Sequence, residues 1–250
     1  MELGVTVPVM LAIAAIYFVA GAVKGASGFG LPVIAVALLP FVVPVEMALA
    51  LNAVVIFTTN LQQIRQAGEI RAGLSAAWPM MAGMAIMVPL GAFFAEGIRE
   101  QTLMAILGAF ILLFVASNFV NPSLRIPAGY EQRTGFGMGL VSGVVGGLTS
   151  APGPIFVTYV VALHLQRAVF MTALGFIMSL FGLTVALSYA WVGILRWEHT
   201  APVLLSLPPV LAGMWLGNLW AKRLPLESFR KIVLILLGVI ACMLIRRALA

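Results

Sequence analysis

Ten apolar segments run along the chain, separated by short joints of proline, glycine and the few charged residues. They lie at about 5–23, 31–43, 45–64, 73–95 and 101–120, then 135–148, 154–165, 168–194, 201–221 and 230–246. Most approach or exceed the roughly 20 residues that a helix needs to cross the hydrocarbon layer. Segments 31–43 and 154–165 are too short to cross alone. The pattern predicts an all-α polytopic membrane protein of about eight spans plus short broken or re-entrant helices. The stretch NPSLRIPAGYEQRTG is the most polar in the chain, and residues 121–134 read as a linker between a first transmembrane repeat, 1–120, and a second, 135–250.

Composition removes whole classes of function. Of 250 residues, 62% are hydrophobic and 9% charged, with a mean hydropathy of +1.12, against roughly 25% charged in a soluble domain. Water is the wrong solvent for such a chain, and almost nothing is left over for an extramembrane domain. There is no aspartate, and most of the eight glutamates lie in the joints, so paired carboxylates for hydrolysis or a hard-cation cage are not expected. His164, His199 and the single Cys242 have no metal-ligand spacing, and no phosphate loop is present. Neither cofactor, metal nor enzymatic activity is expected. The net charge of +6 reads as positive-inside loop bias rather than nucleic-acid binding. The opening MELGVTVPV, with an acid and no base before the apolar run, reads as the start of a retained first helix, not a signal peptide.

The halves look like an ancient duplication. The breaks ASGFGLPV (26–33) and TSAPGPIF (149–156) align so that Ser27 meets Ser150 and Gly30 meets Gly153. EMALALNAV resembles RAVFMTALG, placing Asn52 near Thr172, and AGM occurs at 82–84 and again at 212–214. Loop charge bears on the orientation. If every segment crosses, one side carries Arg65, Arg71, Arg125, Arg133, Lys222, Arg223, Arg230 and Lys231, and the other Arg99, Arg196, Arg246 and Arg247. Loop 96–100 has two acids and one base, whereas 222–231 has four bases and one acid. Matching loops of opposite bias predict inverted repeats with both termini outside. The same parity holds if each short helix folds back, and it fails if the first two segments of a half form one broken span.

Irregular backbone at membrane depth survives only inside protein or beside a wet cavity. A half-helix starting there points free N–H groups and its positive dipole end at whatever fills the cavity. Two such starts brought together by inverted repeats would form an anion site. The candidate binding residues are therefore Ser27, Gly28 and Gly30 at the first break and Ser150 and Gly153 at the second. Lys24 immediately precedes the first break, and Asn52 and Thr172 sit on the long helices. Each has a plainer alternative. Glycines at Gly21/Gly25, Gly139/Gly143, Gly143/Gly147 and Gly213/Gly217 form small-xxx-small packing faces, and Lys24 could snorkel to head groups. Glu46 and Arg167 read as interfacial anchors, His164 as a corner residue, the run TTNLQQIRQ (58–66) as a vestibule or an emerging helix end, and the tryptophans as belt residues.

At these repeated breaks the chain resembles the TauE/SafE family of sulfite and organosulfonate exporters. GASGFGLPVIAV and GGLTSAPGPIFV stand where that family has its glycine-rich break followed by V-P, and ALALNAV and AVFMTAL stand at its later hydroxyl-bearing element. The resemblance implies a multi-pass permease of the bacterial inner membrane. Its substrate would be a small sulfur oxyanion, namely sulfite, thiosulfate or an organosulfonate, and it would work by alternating access. A selective anion channel, or an importer of another small organic anion, stays open beside the exporter, as does a homodimer in the lipid bilayer.

Overall fold

The computed structural model describes residues 6–119, 125–220 and 226–249. Among them there are ten α-helices and no strand: α1 (Val7–Ser27), α2 (Leu31–Leu38), α3 (Val45–Ala67), α4 (Ile70–Gly97), α5 (Glu100–Phe119), α6 (Glu131–Thr149), α7 (Gly153–Ala162), α8 (Arg167–Trp191), α9 (Thr200–Trp220) and α10 (Leu226–Leu249), with 3₁₀ turns at Leu39–Phe41 and Trp197–His199. Each corresponds to one apolar segment of the sequence. Among the described residues five helical stretches are long and apolar enough to cross a membrane: Val7–Ala26, Val45–Ala67, Ile70–Gly97, Arg167–Trp191 and Trp197–Trp220. This is a multi-pass membrane protein. α2 and the stretch Glu100–Leu113 of α5 are shorter apolar helices. Residues 121–124 of the expected linker, and the loop bases Lys222 and Arg223, lie outside the described residues.

The helices pack into two compact units, and each unit draws on both halves of the sequence. The first contains residues 1–52, 98–120 and 195–250, and the second 53–97 and 121–194. In the first unit, α1 lies against α9 along a seam of small residues. Gly21 meets the carbonyl of Val210, Gly25 that of Met214, Gly213 that of Phe18 and Gly217 that of Ala22. The numbers rise together, so the two helices are parallel. A side chain at any of these positions would collide with the facing backbone, which is why glycine holds the seam.

The second unit repeats the arrangement with α6 against α4. Gly139 meets the carbonyl of Met80, Gly143 that of Met84 at 2.8 Å from an added Cβ, and Gly83 that of Phe136. Gly21 and Gly25 thus correspond to Gly139 and Gly143, 118 positions on, and the two AGM triplets occupy the same place in the two seams. α1 ends at Gly28 and α6 at Ser150, both left-handed caps, and these lie 122 positions apart. The second half therefore holds four more residues between seam and break, about one helical turn, which preserves the facing surfaces. Cap geometry pairs Gly28 with Ser150 and Gly30 with Pro152, one residue away from the pairing read from the sequence alone.

Within the second unit, helix directions follow from the contacts. Gly175 lies against Ile64 and Gly182 against Phe57, so α3 and α8 are antiparallel. Gly73 at the start of α4 meets Thr172 near the start of α8, Gly91 farther along α4 meets Gly147, and Gly146 meets Phe181. α4, α6 and α8 therefore run the same way. Between α6 and α8 the short α7 runs back: Pro152 before it touches Gly146, and Tyr159 near its far end touches Gly135.

Candidate functional site

At the first break, α1 closes on Gly28, whose φ of 82° is left-handed and whose N–H donates to the Lys24 carbonyl at 2.7 Å. Gly30, at φ 101°, then opens α2. A left-handed residue on each side of Phe29 lets the chain reverse into a new helix within three residues, and glycine adopts this at least cost. Seven of the eight residues of α2, Leu31 to Ala37, are buried. Pro32 has no N–H, and the Ile34 N–H donates to the Gly30 carbonyl at 3.1 Å. The N–H groups of Leu31 and Val33 thus open a buried helix start at its positive dipole end.

Two buried polar residues lie near this start, Lys24 one turn before the Gly28 cap in sequence and Asn52 in contact with α2. Lys24 is 1% exposed, so its ammonium does not reach out to head groups. Taking an ammonium out of water is costly unless it is hydrogen-bonded and its charge balanced. Asn52, fully buried on α3, donates from Nδ2 to the Pro32 carbonyl at 3.4 Å and is thereby fixed beside the first turn of α2. Ser27 is the last residue of α1; its side chain lies outside the described residues.

The second break has the same outline in different residues. Ser150 caps α6 in the left-handed region at φ 53°, with its N–H on the Gly146 carbonyl at 2.7 Å. Ala151, Pro152 and Gly153 follow, all buried, and α7 starts at Gly153. The Ala151 N–H donates to Thr149 Oγ1 at 3.3 Å, and those of Ile155 and Phe156 to the Pro152 carbonyl. With proline at 152 and 154, the first turn of α7 has one uncommitted N–H, that of Gly153. An added Cβ on Gly153 would lie 3.5 Å from the end of Met178. The Phe181 ring packs on Gly146 and stands edge-on to Phe156 at 5.5 Å. Met178 and Phe181 flank the midpoint of α8, so this break lies halfway along a membrane-crossing helix. Tyr189 Oη donates to the Gly147 carbonyl at 2.7 Å and ties the end of α6 to α8.

Thr172 is elsewhere. Its hydroxyl donates to the Gly68 carbonyl at 2.6 Å, and Gln63 Nε2 donates to the Met171 carbonyl at 3.1 Å. Together they lock the α3–α4 turn against the start of α8, away from the Met178 level of the second break. Glu46 and Arg167 are exposed, and His164 occupies a left-handed corner between α7 and α8 at φ 50°. The run 58–66 divides: Thr59, Asn60 and Gln63 are buried, whereas Gln62, Arg65 and Gln66 are exposed.

Two buried hydroxyls carried no signal in the sequence. Tyr17 Oη and Ser179 Oγ have no hydrogen-bond partner among the described residues. Tyr17 lies two turns before Lys24 on the same face of α1, and Ser179 follows Met178 on α8. An aromatic or a serine inside an apolar helix reads as packing until its surroundings are known. No cluster of metal-ligating side chains occurs among the described residues.

The model of the sulfite exporter TauE/SafE family matches residues 13–244, nearly the whole chain. The chain belongs to that family. Its members are membrane transporters, and both breaks and both glycine seams lie within the matched stretch. No curated protein and no solved structure matches the chain.

Proposed function

We propose that this TauE/SafE member exports a small sulfur oxyanion, sulfite or an organosulfonate, across the bacterial inner membrane by alternating access. Each break is an anion-binding element within its own unit. In the first, Leu31 and Val33 supply backbone N–H donors, Gly28 and Gly30 keep the backbone approachable, Ser27 adds a hydroxyl, Asn52 holds the first turn of α2, and Lys24 supplies the counter-charge. In the second, Gly153 supplies the N–H and Ser150 a hydroxyl. Thr172 fixes the helices that carry the second element rather than touching the anion. The observation that carries this reading is Lys24, 1% exposed and one turn before the Gly28 cap from which the chain enters the buried helix α2. A sulfonate's three oxygens suit several N–H donors and one ammonium.

The return of α7 between the parallel helices α6 and α8 supports inverted repeats, because it preserves the parity on which the loop-charge argument depends. Asn52 beside Pro32, with α3 starting just after the end of α2, supports a like return of α2. Expelling a monoanion from an inside-negative cell gains about 2.3 kcal/mol per 100 mV. A uniport would thus suffice for export, and no embedded carboxylate pair is needed to hold a coupling cation.

Binding by the purified full-length chain tests the site. Sulfite, thiosulfate and two- to three-carbon sulfonates should bind with affinities that fall about ten- to a hundredfold in Lys24→Met, as the loss of a charged hydrogen bond dictates. Lys24→Arg should retain part of the affinity. Unchanged affinity in a folded Lys24→Met would remove the lysine from the site.

A further inference from the structure

α5 and α10, both in the first unit, run antiparallel and separate along their length. At Gly108 they are tight: a Cβ there would lie 2.7 Å from Ile245 Cγ1 and 3.0 Å from the Ala241 carbonyl oxygen. At Gly238 the contact is looser: among the described residues, Val115 Cγ1 is the nearest atom, at 3.9 Å. The opening is a groove of about 480 Å³ lined by Val115, Ile235, Gly238, Val239, Cys242 and Arg246, among others. Among the described residues every lining side chain is apolar except Arg246, in the last turn of α10.

The dimensions and the charge point to one occupant. From Ile235 to Arg246 the groove follows α10 for about 16 Å, at about 1.5 Å per residue. Half of the hydrocarbon core is about 15 Å. The groove is therefore one leaflet deep, with a guanidinium at the end nearest the chain terminus. Arg247, the next residue, donates to the Pro40 carbonyl at 2.7 Å. Arg246 makes no hydrogen bond or ion pair among the described residues and is exposed. No acid lies on α10 between Ile235 and Ala250; the acid of α5 nearest this end is Glu100, its first residue.

We propose that the α5–α10 groove is a binding site for one anionic phospholipid. An acyl chain lies along Val239 and Cys242 over the gap at Gly238, and the phosphate is held by the Arg246 fork. Neither α5 nor α10 supplies a residue to the anion-binding elements.

Cys242 is the only cysteine of the chain and provides a probe in the groove wall. A small fluorophore attached there, in the full-length protein reconstituted into vesicles, should be quenched by acyl-brominated phosphatidylglycerol. The mole fraction required should be about fivefold lower than for brominated phosphatidylcholine, the preference expected of one arginine near the surface. Arg246→Gln should abolish the preference. So should Gly238→Leu, which fills the gap without meeting backbone. Equal quenching by the two lipids overturns the proposal. So does a preference that survives Gly238→Leu, since surface charge alone would explain it. Shielding from both lipids together with Cys242 cross-links between copies would assign the face to a second copy instead.

Discussion

A lysine at the end of an apolar helix can be read two ways from sequence, because its stem reaches the head groups as easily as it turns inward. Burial decides between them here: Lys24 is enclosed at 1% exposure, whereas Arg167 and Glu46, the other embedded charges, are exposed. Ser150 presents a second choice at this scale. Its left-handed φ of 53° costs a non-glycine residue about 1–2 kcal/mol, yet its counterpart in the first break is glycine. Ser150→Gly should therefore leave thermal stability unchanged within about 1 kcal/mol while weakening anion affinity. Ser150→Val should destabilise by about 1–2 kcal/mol because a branched side chain cannot adopt this φ cheaply. Melting curves and anion titrations on the same preparations separate the two effects, and unchanged affinity in Ser150→Gly would remove the hydroxyl from the second element. Thr172 gives the opposite pattern. Thr172→Val removes the bond to Gly68 and should cost about 1 kcal/mol of stability with no change in substrate affinity; a large affinity loss would return it to the site.

Helix ends were legible in the sequence because a membrane chain marks them sharply. Apolar runs stop just before Lys24, at the α3–α4 joint and at the polar linker, and the ten segments anticipate the ten helices among the described residues to within a few residues. Partners were not legible. A small-xxx-small stripe announces a close-packed face but not what it faces, so nothing in Gly21 and Gly25 pointed to Val210 and Met214, or in Gly139 and Gly143 to Met80 and Met84. The extra turn of α6 also hid the relation between the seams, because an alignment on the breaks misplaces the glycines by four residues. Seam energetics follow from backbone contact. Gly213→Leu, whose side chain would meet the Phe18 carbonyl and the Ala22 backbone, should destabilise by about 1–3 kcal/mol. The same change at Gly137, with open space around it, should be neutral in the same unfolding assay. Arg247 illustrates what topology arguments overlook: counted as loop charge, it instead holds the Pro40 carbonyl just beyond α2.

At the scale of the whole molecule, scarcity of charge proved more informative than abundance of apolar surface. The apolar majority requires a membrane, but only the few interruptions say what the membrane protein does. Two breaks, each a left-handed cap followed by a short helix, recur in a chain that has no aspartate and buries a lysine beside one of them. Family membership and this arrangement lead to the same chemistry, transport of a small anion. Counterflow in proteoliposomes holding the purified full-length protein tests that claim most directly. Labelled sulfite or a short sulfonate should enter vesicles preloaded with the unlabelled anion, with saturation and trans-stimulation, and much more slowly with Lys24→Met than with the native chain. Absence of exchange for all of these anions at every pH and membrane potential would contradict the account.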